Sequence, residues 1–190
     1  MGTYSDILKR RTIRVFQDKA VPFAALKKCV NAARLSPTAR NVQYLHFIAV
    51  NDKKQVERLN SAVRFGGVVR EKGRKHSEEA RAFIIIVAET GQSNDYTKMD
   101  VGIAAEAIVL AAWEQNIGSC IMGAIERERI KGILSIPNEY EVSIAIAMGY
   151  PKEKPVVETL TKDSFYWIDG KGTLHIPKRS LEQVLHRDRF

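Results

Sequence analysis

Apolar residues recur at three- and four-residue spacing over 22–35, where Ala25, Leu26, Cys29, Val30 and Ala33 form one stripe and predict a helix. Pro22 suits its first turn, and Ser36-Pro37 ends it, because a residue before proline is pushed out of the helical region. A polar loop, Thr38-Ala39-Arg40-Asn41, follows. The 44–50 stretch reads as a strand, and Asn51-Asp52 caps a helix reaching about Val63. Residues 64–80 are rich in Gly and charge and predict a loop or frayed helix.

The pattern then turns strongly apolar. Residues 83–88 run without a polar break, as expected of a strand buried on both faces. Over 100–116, alanines at 104, 105, 107, 111 and 112 join Val101, Ile108, Val109, Leu110 and Trp113, leaving almost no polar face. Such a helix belongs in a domain centre or at a subunit interface. Gly118 is expected to end it. A short charged helix over 126–134 stops before Pro137, and 142–148 is a further strand closed by Gly149-Tyr150-Pro151. Strands and helices alternate, so the class is α/β or α+β. Beyond Lys152 the periodicity fades. Tyr166 to Gly172 reads as a turn between short extended pieces, and 181–186 as a last apolar-spaced segment. We expect a single domain over 1–190, with 152–190 as an extension packed on its own core or on a partner subunit.

The formal net charge of +8 raises the question of nucleic acid, and its distribution answers it. The cations fall in short clusters, at 9–14, 70–75 and 178–189, with no aromatic-interleaved or Cys/His finger pattern. They suit a small anionic ligand better than a duplex. Cys29 and Cys120 lack metal-ligand spacing, so no metal is expected and both read as buried free thiols. The first residues lack the apolar core of a secretory signal, and no apolar run is long enough to span a bilayer. A cytoplasmic protein without membrane contact is the expectation.

Candidate chemistry begins at Arg10-Arg11-Thr12-Ile13-Arg14, placed at the end of a short first helix. Arg presents a rigid, always-charged fork matched to phosphate oxygens, and Thr adds a neutral donor. Alone, such a cluster is more often a solvated face than a ligand site. It is joined in order by the loop Ser36-Pro37-Thr38-Ala39-Arg40-Asn41 with Gln43, the apolar helix from Asp100 with Gly102, Gly118-Ser119-Cys120, Gly149-Tyr150-Pro151 and Lys178-Arg179. In this order and spacing the chain resembles the nitroreductase family of FMN-dependent NAD(P)H oxidoreductases, from Ile7 to His186.

The resemblance implies an α+β fold, a central and mainly antiparallel sheet flanked by helices, in an intertwined homodimer with FMN at the subunit interface. Arg10, Arg11, Thr12 and Arg14 match the flavin-binding N-terminal segment. By this likeness Arg10 and Thr12 hold the phosphate, and Arg14 lies nearer the ribityl chain and the pyrimidine side of the ring. Pro37, Thr38, Ala39 and Asn41 match a loop supplied by the other subunit. Met122, Gly123 and Ala124 match the segment lining one flavin face, and Lys178 or Arg179 returns to the phosphate. Gly73-Arg74-Lys75-His76 stands where many members carry an Asn and a Lys, and Tyr44 where a Pro-Trp pair is more frequent.

The implied activity is hydride transfer from NADH or NADPH to flavin N5 and on to a nitroaromatic, quinone or similar acceptor, with one shared site and ping-pong kinetics. Such chemistry needs orientation more than side-chain proton transfer, in keeping with the lack of a Ser/His/Asp or Cys/His arrangement. A same-fold flavoenzyme with another task, reductive dehalogenation or metabolite oxidation, is one alternative. A non-catalytic basic binding protein is the other. Remaining side chains take plainer readings. His46 is expected as a hydrogen-bonded core residue, and Glu106 as one half of a structural pair. His76 sits in a basic stretch, His175 and His186 show no partner spacing, and Trp113 and Trp167 read as core or interface aromatics.

Overall fold

The computed structural model describes residues 2–65, 79–161 and 164–190; most of the loop expected at 64–80, including Gly73 to His76, lies outside the described residues. Four strands form an antiparallel sheet: β1 (Leu45–Val50), β2 (Ala82–Glu89), β3 (Gly118–Met122) and β4 (Tyr140–Gly149), in the order β1-β2-β4-β3. Ala82 to Ala88 are all buried, as the unbroken apolar run requires. Because successive side chains alternate across a strand, β2 serves two cores. Ile84 and Ile86 meet α2 (Phe23–Ala33) and α4 (Thr97–Glu114) through Leu26, Cys29, Ala104, Ile108 and Ala112. Phe83, Ile85 and Val87 face α3 (Lys53–Asn60) and α5 (Arg127–Leu134) through Val56, Leu59, Ile130 and Ile133. The fold is α+β, with helices on both faces of an antiparallel sheet.

The caps explain several boundaries. Asp52 caps α3 by accepting from the Gln55 N–H at 3.0 Å. Helix α4 is left at Asn116, whose φ of 58° is the left-handed turn, with the Ile117 N–H returning to the Ala112 carbonyl at 2.9 Å. Gly118 therefore does not end the helix; it opens β3, a strand absent from the sequence reading. Its missing side chain has another purpose. A Cβ there would lie 2.7 Å from the Ile13 Cβ, and one at Gly149, its partner across the ladder, 2.7 Å from the Phe16 Cδ1. The two glycines let the chain after α1 (Thr3–Lys9) lie against β3 and the end of β4. The Ile13 N–H donates to Ser119 O at 2.9 Å, Gln17 N–H to Tyr150 O at 2.8 Å, and Lys152 N–H to Val15 O at 2.9 Å.

A second, three-stranded sheet is built from β5 (Val156–Thr159), β6 (Trp167–Ile168) and β7 (Leu174–Lys178), in the order β5-β7-β6. Cys29 and Cys120 are buried free thiols, as expected. Among the described residues no helix is long and apolar enough to cross a membrane.

Candidate cofactor site

Helix α1 stops at Lys9, and Arg10 is already extended at φ −57° and ψ 135°, so the Arg10-Arg14 cluster follows the helix instead of closing it. Ile13, Val15 and Phe16 are buried beneath this segment, while Arg10, Arg11, Thr12 and Arg14 are partly exposed. The Arg10 Nε is a buried donor without a hydrogen-bond partner among the described residues; Glu106 Oε1 stands 3.5 Å away. Arg11 donates from Nη1 to the Arg10 carbonyl. Burial, and then the neighbouring charge of Arg10, hold the Arg11 guanidinium below its usual pKa. Two adjacent cations, partly desolvated and facing the single Glu106 carboxylate, are suited to a further anion that takes charge-assisted hydrogen bonds. A phosphate fits these residues.

Arg14 is held from the C-terminal side. Glu153 Oε1 accepts from the Arg14 N–H and, at 3.0 Å, from the Val15 N–H. The Arg14 guanidinium lies 5.5 Å from the centre of the Tyr166 ring. Tyr166 in turn lines an open cleft of about 490 Å3 with Pro177, Lys178 and Arg179. The structure thus brings Arg14, Tyr166, Lys178 and Arg179 into one neighbourhood.

The 37–41 loop is placed elsewhere. It leads from α2 into β1, at the opposite edge of the sheet from β3, where Thr12 pairs with Ser119. Arg40, Asn41 and Gln43 have φ of 56°, 55° and 58°, unusual for residues with side chains. The shape is held by Asp100, only 4% exposed, whose Oδ2 accepts from the Ala39 N–H at 3.0 Å and the Tyr44 hydroxyl at 2.7 Å. Burial pushes the Tyr44 phenol above its usual pKa, with Asp100 adding to the rise. Thr38 Oγ1 accepts from the Gln43 N–H at 3.1 Å. Pro37 is exposed at the rim of a small cavity shared with Thr38, Gln43, Phe47 and Asp100. Met122 is buried at the end of β3, whereas Gly123 and Ala124 beyond it are exposed, and Ala124 O accepts from the Arg64 N–H at 3.0 Å.

Glu106 is one half of a pair, as expected, with Arg10 at 3.5 Å, though its side chain is 47% exposed. Other side chains depart from the sequence reading. His46 bonds Glu89 at 2.9 Å on an exposed surface, not in the core. His175, without partners in sequence spacing, sits between Glu158 and Asp169 at 3.0 and 3.4 Å. Asp100, Glu153 and Tyr166 were not singled out as site residues. Only Asp100 carried a signal, as the one acid near the start of an apolar helix.

A family model described as the nitroreductase family matches residues 7–150. The chain belongs to the nitroreductase family. This nitroreductase-family chain is 32% identical over 155 residues to an Archaeoglobus fulgidus protein named "Putative NADH dehydrogenase/NAD(P)H nitroreductase", covering 78% of this chain and 84% of the relative. The structure of an FMN-dependent nitroreductase from Clostridium difficile R20291 matches with a TM-score of 0.70 and 26% identity, over 98% of this chain and 99% of that one. An iodotyrosine deiodinase of Thermotoga neapolitana is 24% identical over 160 residues, with 76% of this chain and 86% of the relative covered.

Proposed function

We propose that this member of the nitroreductase family is an FMN-dependent, NAD(P)H-oxidising enzyme that works as a homodimer in the cytoplasm. The observation that carries the reading is the buried Arg10 Nε, which makes no hydrogen bond among the described residues and faces the half-exposed Glu106 at 3.5 Å, beside the partly desolvated Arg11: two adjacent cations against one carboxylate. Family membership supports the FMN phosphate as the anion these cations would take. Arg10, Arg11 and Thr12 would hold it, with Lys178 or Arg179 approaching from the C-terminal sheet. Arg14 would face the ribityl and pyrimidine side of the flavin. Backbone groups of Met122, Gly123 and Ala124 would line one face of the ring, where exposed Gly123 and Ala124 leave room for close approach.

When bound, FMN supplies hydride chemistry at N5, between NAD(P)H and a nitroaromatic, quinone or similar acceptor. The protein's part is orientation, charge balance and exclusion of water. The loop of Pro37, Thr38, Ala39 and Asn41 lies at the other sheet edge, so it would complete the site of a second copy. One site used in turn by donor and acceptor gives ping-pong kinetics. The whole chain, 1–190, would act as one domain, with 152–190 as the extension that closes over the N-terminal segment.

The test is a visible spectrum of the purified protein followed by anaerobic NADH. Flavin bands that bleach are expected. Protein that stays colourless after incubation with excess FMN would refute the reading. Arg10→Ala should weaken FMN binding roughly 10- to 100-fold while the fold is retained, the size expected for losing a hydrogen bond to a charged group.

A further inference from the structure

We propose that Tyr166 is a positioning residue: its ring seats the Arg14 guanidinium, and through it the C-terminal sheet sets flavin affinity and potential. The inference rests on the FMN reading above. Arg14 is gripped at both ends by the extension. Glu153 takes its backbone N–H, and Tyr166 lies against its guanidinium at 5.5 Å. A cation over an aromatic face is attracted by the ring quadrupole, and a long side chain ordered in advance loses less freedom when a ligand arrives.

Tyr166 is itself well supported. Its neighbour Trp167 stacks on His175 with ring centres 4.0 Å apart and planes 15° from parallel. The Trp167 indole N–H donates to Glu158 Oε1 at 2.7 Å, and His175 bridges Glu158 and Asp169. Asp169 also accepts from the Lys171 and Thr173 N–H groups at 2.9 and 2.8 Å, fixing the turn between β6 and β7. These bonds lock β5, β6 and β7 together, and Tyr166 enters β6 directly. The same ring lines the cleft that holds Lys178 and Arg179. Tyr166 therefore meets Arg14 and shares a cleft with two further cations of the proposed phosphate site.

The test is FMN titration by flavin fluorescence, with the midpoint potential of the bound flavin, for wild type, Tyr166→Leu and Tyr166→Phe. Tyr166→Leu should bind FMN about three- to thirtyfold more weakly, the range of a cation–π contact. Its potential should move negative, because a looser Arg14 offsets less of the charge on reduced flavin. Tyr166→Phe keeps the ring and should stay near wild type. In an Arg14→Ala background Tyr166→Leu should add nothing, whereas a merely structural role would add its full penalty. Tyr166→Gln replaces Tyr166→Leu in the cycle should the latter fold poorly. Wild-type affinity in Tyr166→Leu, equal loss in Tyr166→Phe, or an undiminished penalty without Arg14 would overturn the proposal while leaving the FMN reading intact. Failure of wild type itself to bind FMN would end both.

Discussion

Asp100 shows how one buried carboxylate shapes a loop it does not belong to. It is 61 positions from Ala39 and 56 from Tyr44, yet it accepts from both and so holds three left-handed side-chain residues in place. Asp100→Ala would take its acceptor from the part-buried Ala39 N–H and its carboxylate partner from the Tyr44 hydroxyl, which keeps Thr97 beside it, at a cost of about 1.5–3 kcal/mol for bonds to a charged group. With both bonds lost the expected loss is at the upper end, about 3 kcal/mol, a fall in Tm of roughly 6–12 °C for a chain of this size. Tyr44→Phe removes the donor and leaves the buried Asp100 carboxylate with the Ala39 N–H, and should cost about 1.5–3 kcal/mol, the range for losing a hydrogen bond to a charged group. Equal melting temperatures for Asp100→Ala and wild type would show that the loop keeps its shape by other means.

Among the elements, the contact between the 10–17 segment and the β3–β4 ladder matters most, because it carries the arginines. Gly118→Ala places a methyl 2.7 Å from the Ile13 Cβ, an atom next to the backbone that cannot swing away. Overpacking of this kind costs about 1–3 kcal/mol, and here it also lifts Arg10 and Arg14 from their seats. Gly118→Ala should therefore lower both Tm and FMN affinity, and the double variant with Ile13→Gly, which removes the Cβ itself, should be less damaged than the sum of the two singles. Strict additivity in denaturant melts would rule out the close contact as cause. The same contact explains what the sequence could and could not reveal. β2 and β4 were legible because long apolar runs have few other uses, and α2 and α3 because periodicity and caps agreed. β3 was hidden: a glycine just past a helix looks like a cap, and Asn116 had already taken that place. The arginine cluster was legible from local charge. Glu153 and Tyr166 were not, since Glu153 meets Arg14 across 139 positions and no local pattern encodes such a meeting.

For the molecule as a whole, α4 is apolar over most of its surface, yet one chain covers only part of it. Met99 is 59% and Ile103 44% exposed, and Gly102 between them has open space where a Cβ would be. With half-buried Glu106 and Leu110 they follow three- and four-residue spacing, so they share one face. An exposed apolar stripe on a central helix marks a surface that another chain covers. The placement of the site residues makes the same demand, because the Arg10-Arg14 segment and the 37–41 loop border opposite edges of the sheet. Both follow if two copies pack through α4, each lending its loop to the other's flavin. Ile103→Glu puts a charge into that contact, where an unpaired buried carboxylate is costly. By sedimentation the variant should run as a monomer at concentrations where wild type is dimeric. Its far-UV circular dichroism should be unchanged, since Ile103 belongs to neither core of its own chain. FMN should be lost together with the dimer. A monomeric variant that keeps full FMN affinity would place the whole flavin site within one chain and remove the reason for the loop exchange. A variant that stays dimeric would move the interface away from α4, to the exposed Tyr4, Ile7 and Leu8 of α1 or to the terminal Leu181, Val184 and Leu185.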